Sequence, residues 1–455
     1  MKPRPLLPSG PFLVVGLARS GVAAALALAA RGERVIGCDS GPATKPELAE
    51  AEGRLEQAGV EVHLDASGDA LAARAGTLIK SPGVPQDAPA VVAARNAGVP
   101  VLGELELAWR MLPNDFLAVT GTNGKTTTTE WIGHIHRAAG WPVAVAGNVG
   151  TALSGLVGEV SPEATIVCEA SSFQLEDTEA FAPEAATLLN LSPDHLDRHG
   201  TFEAYVQAKL RVFAHQGPSD VAVLPDALEI EVPGEARLER FGAGESAGLR
   251  FVDGQLHWHG DTVVDVAEIR LPGLHNLENA MAAATVCLSR GLGPAAVAEG
   301  LRTFHGVAHR LELIANFGGV AYVNDSKATN VASTLVALRS YEQGVHLILG
   351  GLGKSQDFSP LAPVVAERCA AVYLIGQDAP LIESALRERI SAVPLRCCHD
   401  LAAAVESARE HATPGDVVLL SPACASFDQY PDFEARGEHF RALVLAAAGP
   451  SEADA

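Results

Sequence analysis

The 455-residue sequence is poor in aromatics, at 5 %, and poor in positive charge, with 33 Lys and Arg against 55 Asp and Glu and a formal net charge of −22. That balance repels nucleic-acid backbones and anionic lipids, so neither is expected as a partner, and any anionic substrate needs a local positive site. No apolar run reaches membrane-spanning length. The run Phe12 to Leu17 is punctuated by Gly16 and Gly21 and interrupted by Arg19, which reads as a first strand and not as a secretory leader. Seven cysteines, including the adjacent Cys397 and Cys398, give neither a disulfide framework nor a CxxC spacing. A reducing compartment, the cytoplasm, is therefore expected. His195 and His199 sit four apart but lack the glutamate of an HExxH pattern, so zinc is not expected either.

What is present is the composition of a globular protein, 48 % hydrophobic and 19 % charged, in a length that suggests about three domains of roughly 150 residues. Short β-branched runs alternate with Ala/Leu-rich helical stretches. Phe12 to Val15, Arg34 to Cys38, Phe116 to Thr120, Thr165 to Cys168 and Thr187 to Asn190 lead the series. It resumes with Val320 to Asn324, Val345 to Leu349, Val372 to Ile375 and Val417 to Leu420. This alternation predicts an α/β fold of parallel βαβ units. Between residues 220 and 270 the helical period is lost, and Asp253-Gly254 suits a type I′ hairpin turn within Arg250 to Trp258. Turn chemistry near residues 103 and 306 divides the chain into blocks 1–103, 104–306 and 307–455.

The strand Phe116 to Thr120 runs into Gly121-Thr122-Asn123-Gly124-Lys125-Thr126-Thr127, and Trp131, Ile132 and Ile135 follow at helical spacing. Strand, glycine loop and helix N-terminus make an anion cradle. The glycines let backbone N–H groups close around ATP's phosphates, Lys125 brings positive charge to the β and γ oxygens, and Thr126 offers a hydroxyl to Mg²⁺. The full GxxxxGK[ST] pattern is not met, because Val119 stands at its first glycine. A motor or GTPase reading loses weight accordingly.

In open parallel sheets the chemistry lies beyond the carboxyl ends of the strands. Glu169 follows one such strand and precedes Ser171 to Gln174, while another leads to Ser192 through Arg198. Glu169 and His195 are therefore candidates for a metal or phosphate site, and Asp194 and Asp197 read equally well as helix caps. Phe202, Val206, Lys209 and Phe213 fall on one helical stripe, which sets a lysine among apolar neighbours. By periodicity alone such a lysine snorkels to solvent. Near the N-terminus, Gly16-Leu-Ala-Arg-Ser-Gly21 follows a strand with Asp39 about twenty residues on, as in dinucleotide sites, yet Ala18 replaces the middle glycine.

Taken in order, Gly121 to Thr127, Glu169 to Gln174, Asp194 to Arg198, His275 to Asn279, His309-Arg310 and Asn324 to Asn330 resemble the Mur ligase family over nearly the whole chain. Ser421 to Ser426, Asp428-Gln429 and Phe433 to Gly437 are similar to the C-terminal signature of its glutamate-adding member. The resemblance implies a Rossmann-like N-terminal domain, a central P-loop-type ATPase domain with a small antiparallel addition, and a Rossmann-like C-terminal domain. It implies ATP-dependent amide-bond formation between D-glutamate and UDP-N-acetylmuramoyl-L-alanine by a monomeric enzyme that uses two Mg²⁺ ions.

By the same resemblance, Thr126 and Glu169 hold one Mg²⁺, and His195 with a carbamylated Lys209 holds the second. Gly121 to Thr127, Asn276, Asn279, Arg310, Asp325 and Lys327 surround ATP, and Lys125, Asn148, His195, Lys209, Arg310 and Lys327 are catalytic. Arg19, Ser20, Asp39, Ser40, Ser81, Pro82, Gly83, Asn148 and Gln174 fall to the uridine-linked substrate. Thr329, Lys354, Ser426, Phe427 and Phe433 fall to glutamate. Residues of the C-terminal block are then expected to close on the central loop when ATP binds. An NAD-dependent oxidoreductase would explain only residues 1 to 100. A folylpolyglutamate synthetase or a later Mur enzyme would differ in the C-terminal signature.

Overall fold

The computed structural model describes residues 2–448 except 149, 272, 354, 355, 388 and 391. It divides into two compact units, Met1–Phe304 and His305–Ala455. Among the described residues the first unit carries two sheets and the second carries one.

The first sheet consists of β1 (Phe12–Val15), β2 (Val35–Cys38), β3 (Glu61–His63), β4 (Thr77–Lys80) and β5 (Val101–Gly103). All are parallel, in the order β3-β2-β1-β4-β5. Successive side chains of a strand point to opposite faces, and here both faces are covered. Phe12 and Val14 pack with Ala24, Ala25 and Leu28 of one helix, while Leu13 and Val15 pack with Ala90, Val91 and Ala94 of another. That is why these strands read as unbroken apolar runs.

The second sheet comprises β6 (Phe116–Thr120), β7 (Val143–Gly147), β8 (Thr165–Glu169), β9 (Ala185–Leu188), β10 (Val221–Pro225), β11 (Arg237–Gly242), β12 (Leu249–Val252), β13 (Gln255–Trp258) and β14 (Asp261–Asp265). Their order is β14-β13-β12-β11-β10-β9-β6-β8-β7. The strands from β6 to β11 pair in parallel, whereas β12, β13 and β14 form an antiparallel meander. Asp253 and Gly254, with φ of 48° and 81°, make the expected hairpin turn. The meander has one strand more than the expected pair, because β14 returns along β13. β9 ends at Leu188, so Asn190, expected within it, lies past its end.

In the second unit, β15 (Glu312–Phe317), β16 (Val320–Asn324), β17 (Val345–Gly350), β18 (Cys369–Ile375), β19 (Leu395–His399) and β20 (Val417–Leu420) are ordered β15-β16-β20-β17-β18-β19. Only β15 runs antiparallel to its neighbour. Alternate residues again face two cores, Leu347 and Leu349 on one side and Ile348 on the other. In open parallel sheets of this kind the crevice past the carboxyl ends of the central strands is the usual place for a ligand.

Candidate active site

At the carboxyl end of β6, Gly121 and Gly124 have φ of 150° and 83°, a region open to glycine at little steric cost. A Cβ on Gly124 would lie 2.2 Å from Asn279 Oδ1, so Asn279, on the helix Leu274–Ser289, stands directly over the loop. Gly124 caps the helix Lys125–Ala138 without a side-chain cap, which turns the first backbone N–H groups of that helix toward the crevice. Lys125 Nζ donates to the carbonyls of Gly121 and Thr122 at 3.0 and 2.8 Å, and Thr126 and Thr127 are buried behind it.

Neighbours the sequence reading overlooked hold the loop in shape. Asn190 Oδ1 accepts from the Asn123 N–H at 2.9 Å, and its Nδ2 donates to the Asn123 carbonyl at 3.1 Å. Thr122 Oγ1 lies 3.0 Å from Tyr205 Oη and accepts from the Ser192 N–H at 3.0 Å. The signal for Tyr205 was its place four residues before Lys209, on the same helical face.

Lys209 is buried, at 1 % exposure, and does not snorkel. The helix Phe202–Leu210 buries Tyr205, Ala208, Lys209 and Leu210, and ends before Phe213, so the expected stripe is replaced by one that faces the loop. Lys209 Nζ donates to the Gly121 carbonyl at 2.7 Å and lies 4.6 Å from the Tyr205 ring centre. Burial, reinforced by the positive charge of Lys125 and opposed by Asp194 and Glu169, lowers its pKa to about 7. The amine is thus partly neutral near neutral pH, which ordinary lysines are not.

Glu169, at the end of β8, is buried and accepts from Asn148 Nδ2 at 2.9 Å. The Asn148 N–H in turn donates to the Glu169 carbonyl at 2.9 Å, which fixes that exposed loop residue against the carboxylate. Gln174 is buried in a capping box with Ser171. His195 is exposed, with φ of 51°, its Nε2 3.5 Å from Asp194 Oδ2 and its ring 4.8 Å from that of Phe173. Asp194 Oδ1 accepts from the His195 N–H at 2.9 Å and caps no later turn of the short helix Leu196–His199. His199 is tied elsewhere, with Nε2 2.9 Å from Ser172 Oγ and Nδ1 3.1 Å from Glu176 Oε1.

The first sheet presents a second glycine loop. Asp39, just past β2, accepts from the Leu17 N–H and the Gly41 N–H, each at 2.7 Å. Ser81, just past β4, donates to the Gly16 carbonyl at 2.6 Å, and a Cβ on Gly21 would lie 1.8 Å from that same oxygen. Arg19 and Ser20 open the helix Arg19–Ala30, with Arg19 exposed. A cleft of about 500 Å³ is lined by Leu17, Arg19, Glu47, Arg54, Gly150 and Thr151. Ser40 and Gly83, which follow Asp39 and Ser81 in sequence, are exposed, and Pro82 is half-buried.

In the second unit Asp325, just past β16, is buried; its Oδ2 accepts from Ser421 Oγ at 2.7 Å and its Oδ1 from the Leu311 N–H at 3.2 Å. Burial pushes its pKa up to about 7 against the opposing pull of Ser421, Arg310 and Lys327. Lys327 Nζ lies 6.0 Å from the Phe433 ring centre, and the Thr329 N–H donates to the Lys327 carbonyl. Ser426 is buried, whereas Phe427 is exposed. Lys354 lies outside the described residues.

The donor chemistry fits magnesium carried on a nucleotide. A buried carboxylate, Glu169, and a helix-terminal hydroxyl, Thr126, are oxygen donors of the kind Mg²⁺ takes in small number beside phosphates. Among the described residues no three His, Cys, Asp or Glu side chains converge into an all-protein metal cage.

The family model for the Mur ligase MurD-like N-terminal domain matches residues 11–103, that for the Mur ligase middle domain residues 119–287, and that for the Mur ligase glutamate ligase domain residues 309–424. The chain is 42 % identical over 451 residues to the UDP-N-acetylmuramoylalanine–D-glutamate ligase of Acidobacterium capsulatum, covering 96 % of both chains. It is 44 % identical over 448 residues to the enzyme of that name from Chromobacterium violaceum, covering 95 % of this chain and 97 % of the relative. Among solved structures, UDP-N-acetylmuramate-alanine ligase from Thermotoga maritima superposes with a TM-score of 0.58 at 20 % identity, over 96 % of this chain and 100 % of that one. The MurF ligase from Thermotoga maritima in complex with ADP gives 0.58 at 18 %, over 91 % and 96 %. At these identities the two structures speak for the fold alone.

Proposed function

The chain belongs to the Mur ligase family, and from that premise we propose that it joins D-glutamate to the alanine carboxyl of UDP-N-acetylmuramoyl-L-alanine, with ATP cleaved to ADP and phosphate. The observation that carries this reading is the near full-length likeness to ligases of that name. Residues 1–103 are assigned to the uridine nucleotide, 104–306 to ATP and catalysis, and 307–455 to the amino acid. The enzyme acts as a cytoplasmic monomer in peptidoglycan precursor synthesis.

A carboxylate is a poor electrophile. Transfer of the γ-phosphoryl group to the alanine carboxylate removes its charge and installs a leaving group, the glutamate amine then attacks the acyl carbon, and phosphate departs with one former carboxylate oxygen. Catalysis is a matter of positioning and of charge offset at each stage. The loop Gly121 to Thr127 holds the phosphates by backbone N–H groups, and Lys125 leaves its two loop carbonyls for phosphate oxygens. Asn148, held on Glu169, orients the acyl carboxylate. Arg310 and Lys327 serve the nucleotide, with Asp325, Asn276 and Asn279, while Thr329, Lys354, Ser426, Phe427 and Phe433 serve glutamate. Arg19, Ser20, Asp39, Ser40, Ser81, Pro82, Gly83 and Gln174 position the uridine-linked substrate.

Thr126 and Glu169 would form one set of ligands for Mg²⁺, and His195 with a carbamylated Lys209 another; the ion would supply positive charge to offset that of the phosphates and the reacting carboxylate. A pKa near 7 leaves the Lys209 amine neutral enough to add carbon dioxide with loss of one amine proton to solvent, and the resulting carbamate is an oxygen ligand where the ammonium is none. The reading is tested by phosphate release from ATP with UDP-N-acetylmuramoyl-L-alanine while the amino acid is varied. Release that depends on D-glutamate is expected. Equal release with D-aspartate, L-lysine or L-glutamate would reject the assignment.

A further inference from the structure

A set of charged side chains, buried at Lys80 and Asp177 and half-buried at Arg198 and Glu176, joins the first sheet's glycine loop to the segment that carries His195. Its centre is the carbonyl of Val84, directly after Ser81 to Gly83, which accepts from Lys80 Nζ at 2.7 Å and from Arg198 Nη2 at 3.0 Å. On one side, fully buried Lys80 pairs with Asp177 Oδ2 at 2.8 Å, and Asp177 Oδ1 accepts from Gln86 Nε2 at 2.8 Å. The Val84 side chain also packs on the loop, since a Cβ on Gly16 would lie 2.7 Å from its Cγ2. On the other side, the Arg198 guanidinium lies 4.7 Å from the centre of the Phe173 ring and 3.6 Å from Glu176 Oε2. Phe173 is the ring that contacts His195 at 4.8 Å. Direct contacts thus run from Gly16 through Val84, Arg198 and Phe173 to His195.

Two cations on one carbonyl repel each other, and buried ion pairs are weak contributors to stability. What such a network supplies is fixed geometry. Arginine suits the place because one planar guanidinium can stack on a ring, donate to a carbonyl and meet a carboxylate at once, which a lysine ammonium cannot.

We infer that Arg198 is a positioning residue that couples the uridine-nucleotide loop to the His195 segment, so that each of the two substrates raises the affinity for the other. The inference rests on the function proposed above, which gives Ser81 to Gly83 to the uridine-linked substrate and His195 to the phosphate side. Coupling between two sites is reciprocal, so it is measurable from either ligand.

The test is a binding cycle by calorimetry with UDP-N-acetylmuramoyl-L-alanine and a non-hydrolysable ATP analogue with Mg²⁺, each titrated with and without the other. In the unmodified protein each ligand is expected to tighten the other by roughly 5-fold or more, and in Arg198→Ala that factor is expected to fall to about 2-fold or less. The affinity of each ligand alone stays close to that of the unmodified protein. Undiminished coupling in Arg198→Ala, or none in the unmodified protein, overturns the inference. Should Arg198→Ala fail to give a cooperative melt, Arg198→Lys decides: reduced coupling supports the role and full coupling refutes it. Failure of the unmodified protein to bind the uridine-linked substrate at all rejects the function itself, and the inference with it.

Discussion

Two glycine loops in the first unit have the same local plan of strand, glycine turn and helix, yet their electrostatics differ. After β1, the Leu17 N–H is taken by the Asp39 carboxylate, and Ser81 covers the Gly16 carbonyl. After β6, no acidic side chain caps the helix, and Lys125 sits over the loop carbonyls. Neither helix has a side-chain cap, so the difference lies in the loops: a carboxylate on a loop N–H occupies a place an anion would take, whereas a lysine beside the loop prepares it. The two loops thus carry opposite charge, a carboxylate at the first and an ammonium at the second, and on the function proposed above they take the uridine-linked substrate and ATP's phosphates respectively.

The contrast breaks most sharply at Lys125. In Lys125→Ala, kcat/KM is expected to fall about 1000-fold, on the order of 4 kcal/mol of transition-state stabilisation, in an assay of ADP formation. Affinity for UDP-N-acetylmuramoyl-L-alanine should be unchanged, and a parallel loss would merge the two loops into one site.

A third strand end, in the second unit, extends the comparison to a carboxyl buried with few donors. Asp325 has its pKa raised from 3.8 to about 7, so the folded state holds a proton the unfolded state releases. Its contribution to stability is fullest below the unfolded pKa, declines as pH rises toward the folded value, and is flat above it. Asp325→Asn is therefore expected to stabilise the protein by roughly 2–4 kcal/mol near pH 8 and by little near pH 4, read from denaturant midpoints at the two pH values. An advantage independent of pH would contradict the burial argument.

At Lys209, a loss of about 100-fold in turnover is expected for Lys209→Ala, with part of it restored by added acetate, whose carboxylate can replace a carbamate oxygen donor. Activity equal to that of the unmodified enzyme would return the residue to the role of a packed lysine. The smallest effect belongs to the first loop. Asp39→Asn is expected to weaken UDP-N-acetylmuramoyl-L-alanine binding about 10-fold, roughly 1.4 kcal/mol, without change in the affinity for ATP.

Most of the fold was legible because parallel strands buried on both faces are written as short apolar runs. Phe12–Val15, Phe116–Thr120, Val320–Asn324 and Val417–Leu420 begin and end as the pattern predicts. The end of β9 was not, since Leu189 continues the apolar run while the chain has already turned to bring Asn190 to the loop. Lys209 shows a different limit. Helical spacing placed it on an apolar stripe, but the decision between solvent and interior was made by a carbonyl 88 positions away, Gly121. The partners of Val84 were likewise invisible, because Lys80, Asp177 and Arg198 come from separate elements and carry no common spacing.

The central claim is that the phosphate held by the second loop is transferred to the alanine carboxylate and not to water. The direct measurement uses UDP-N-acetylmuramoyl-L-alanine with its carboxylate labelled in heavy oxygen, and mass analysis of the phosphate released during synthesis with ATP and D-glutamate. Phosphate carrying one heavy oxygen for each amide bond formed is predicted. Unlabelled phosphate, with product formed at the same rate, would contradict an acyl-phosphate route.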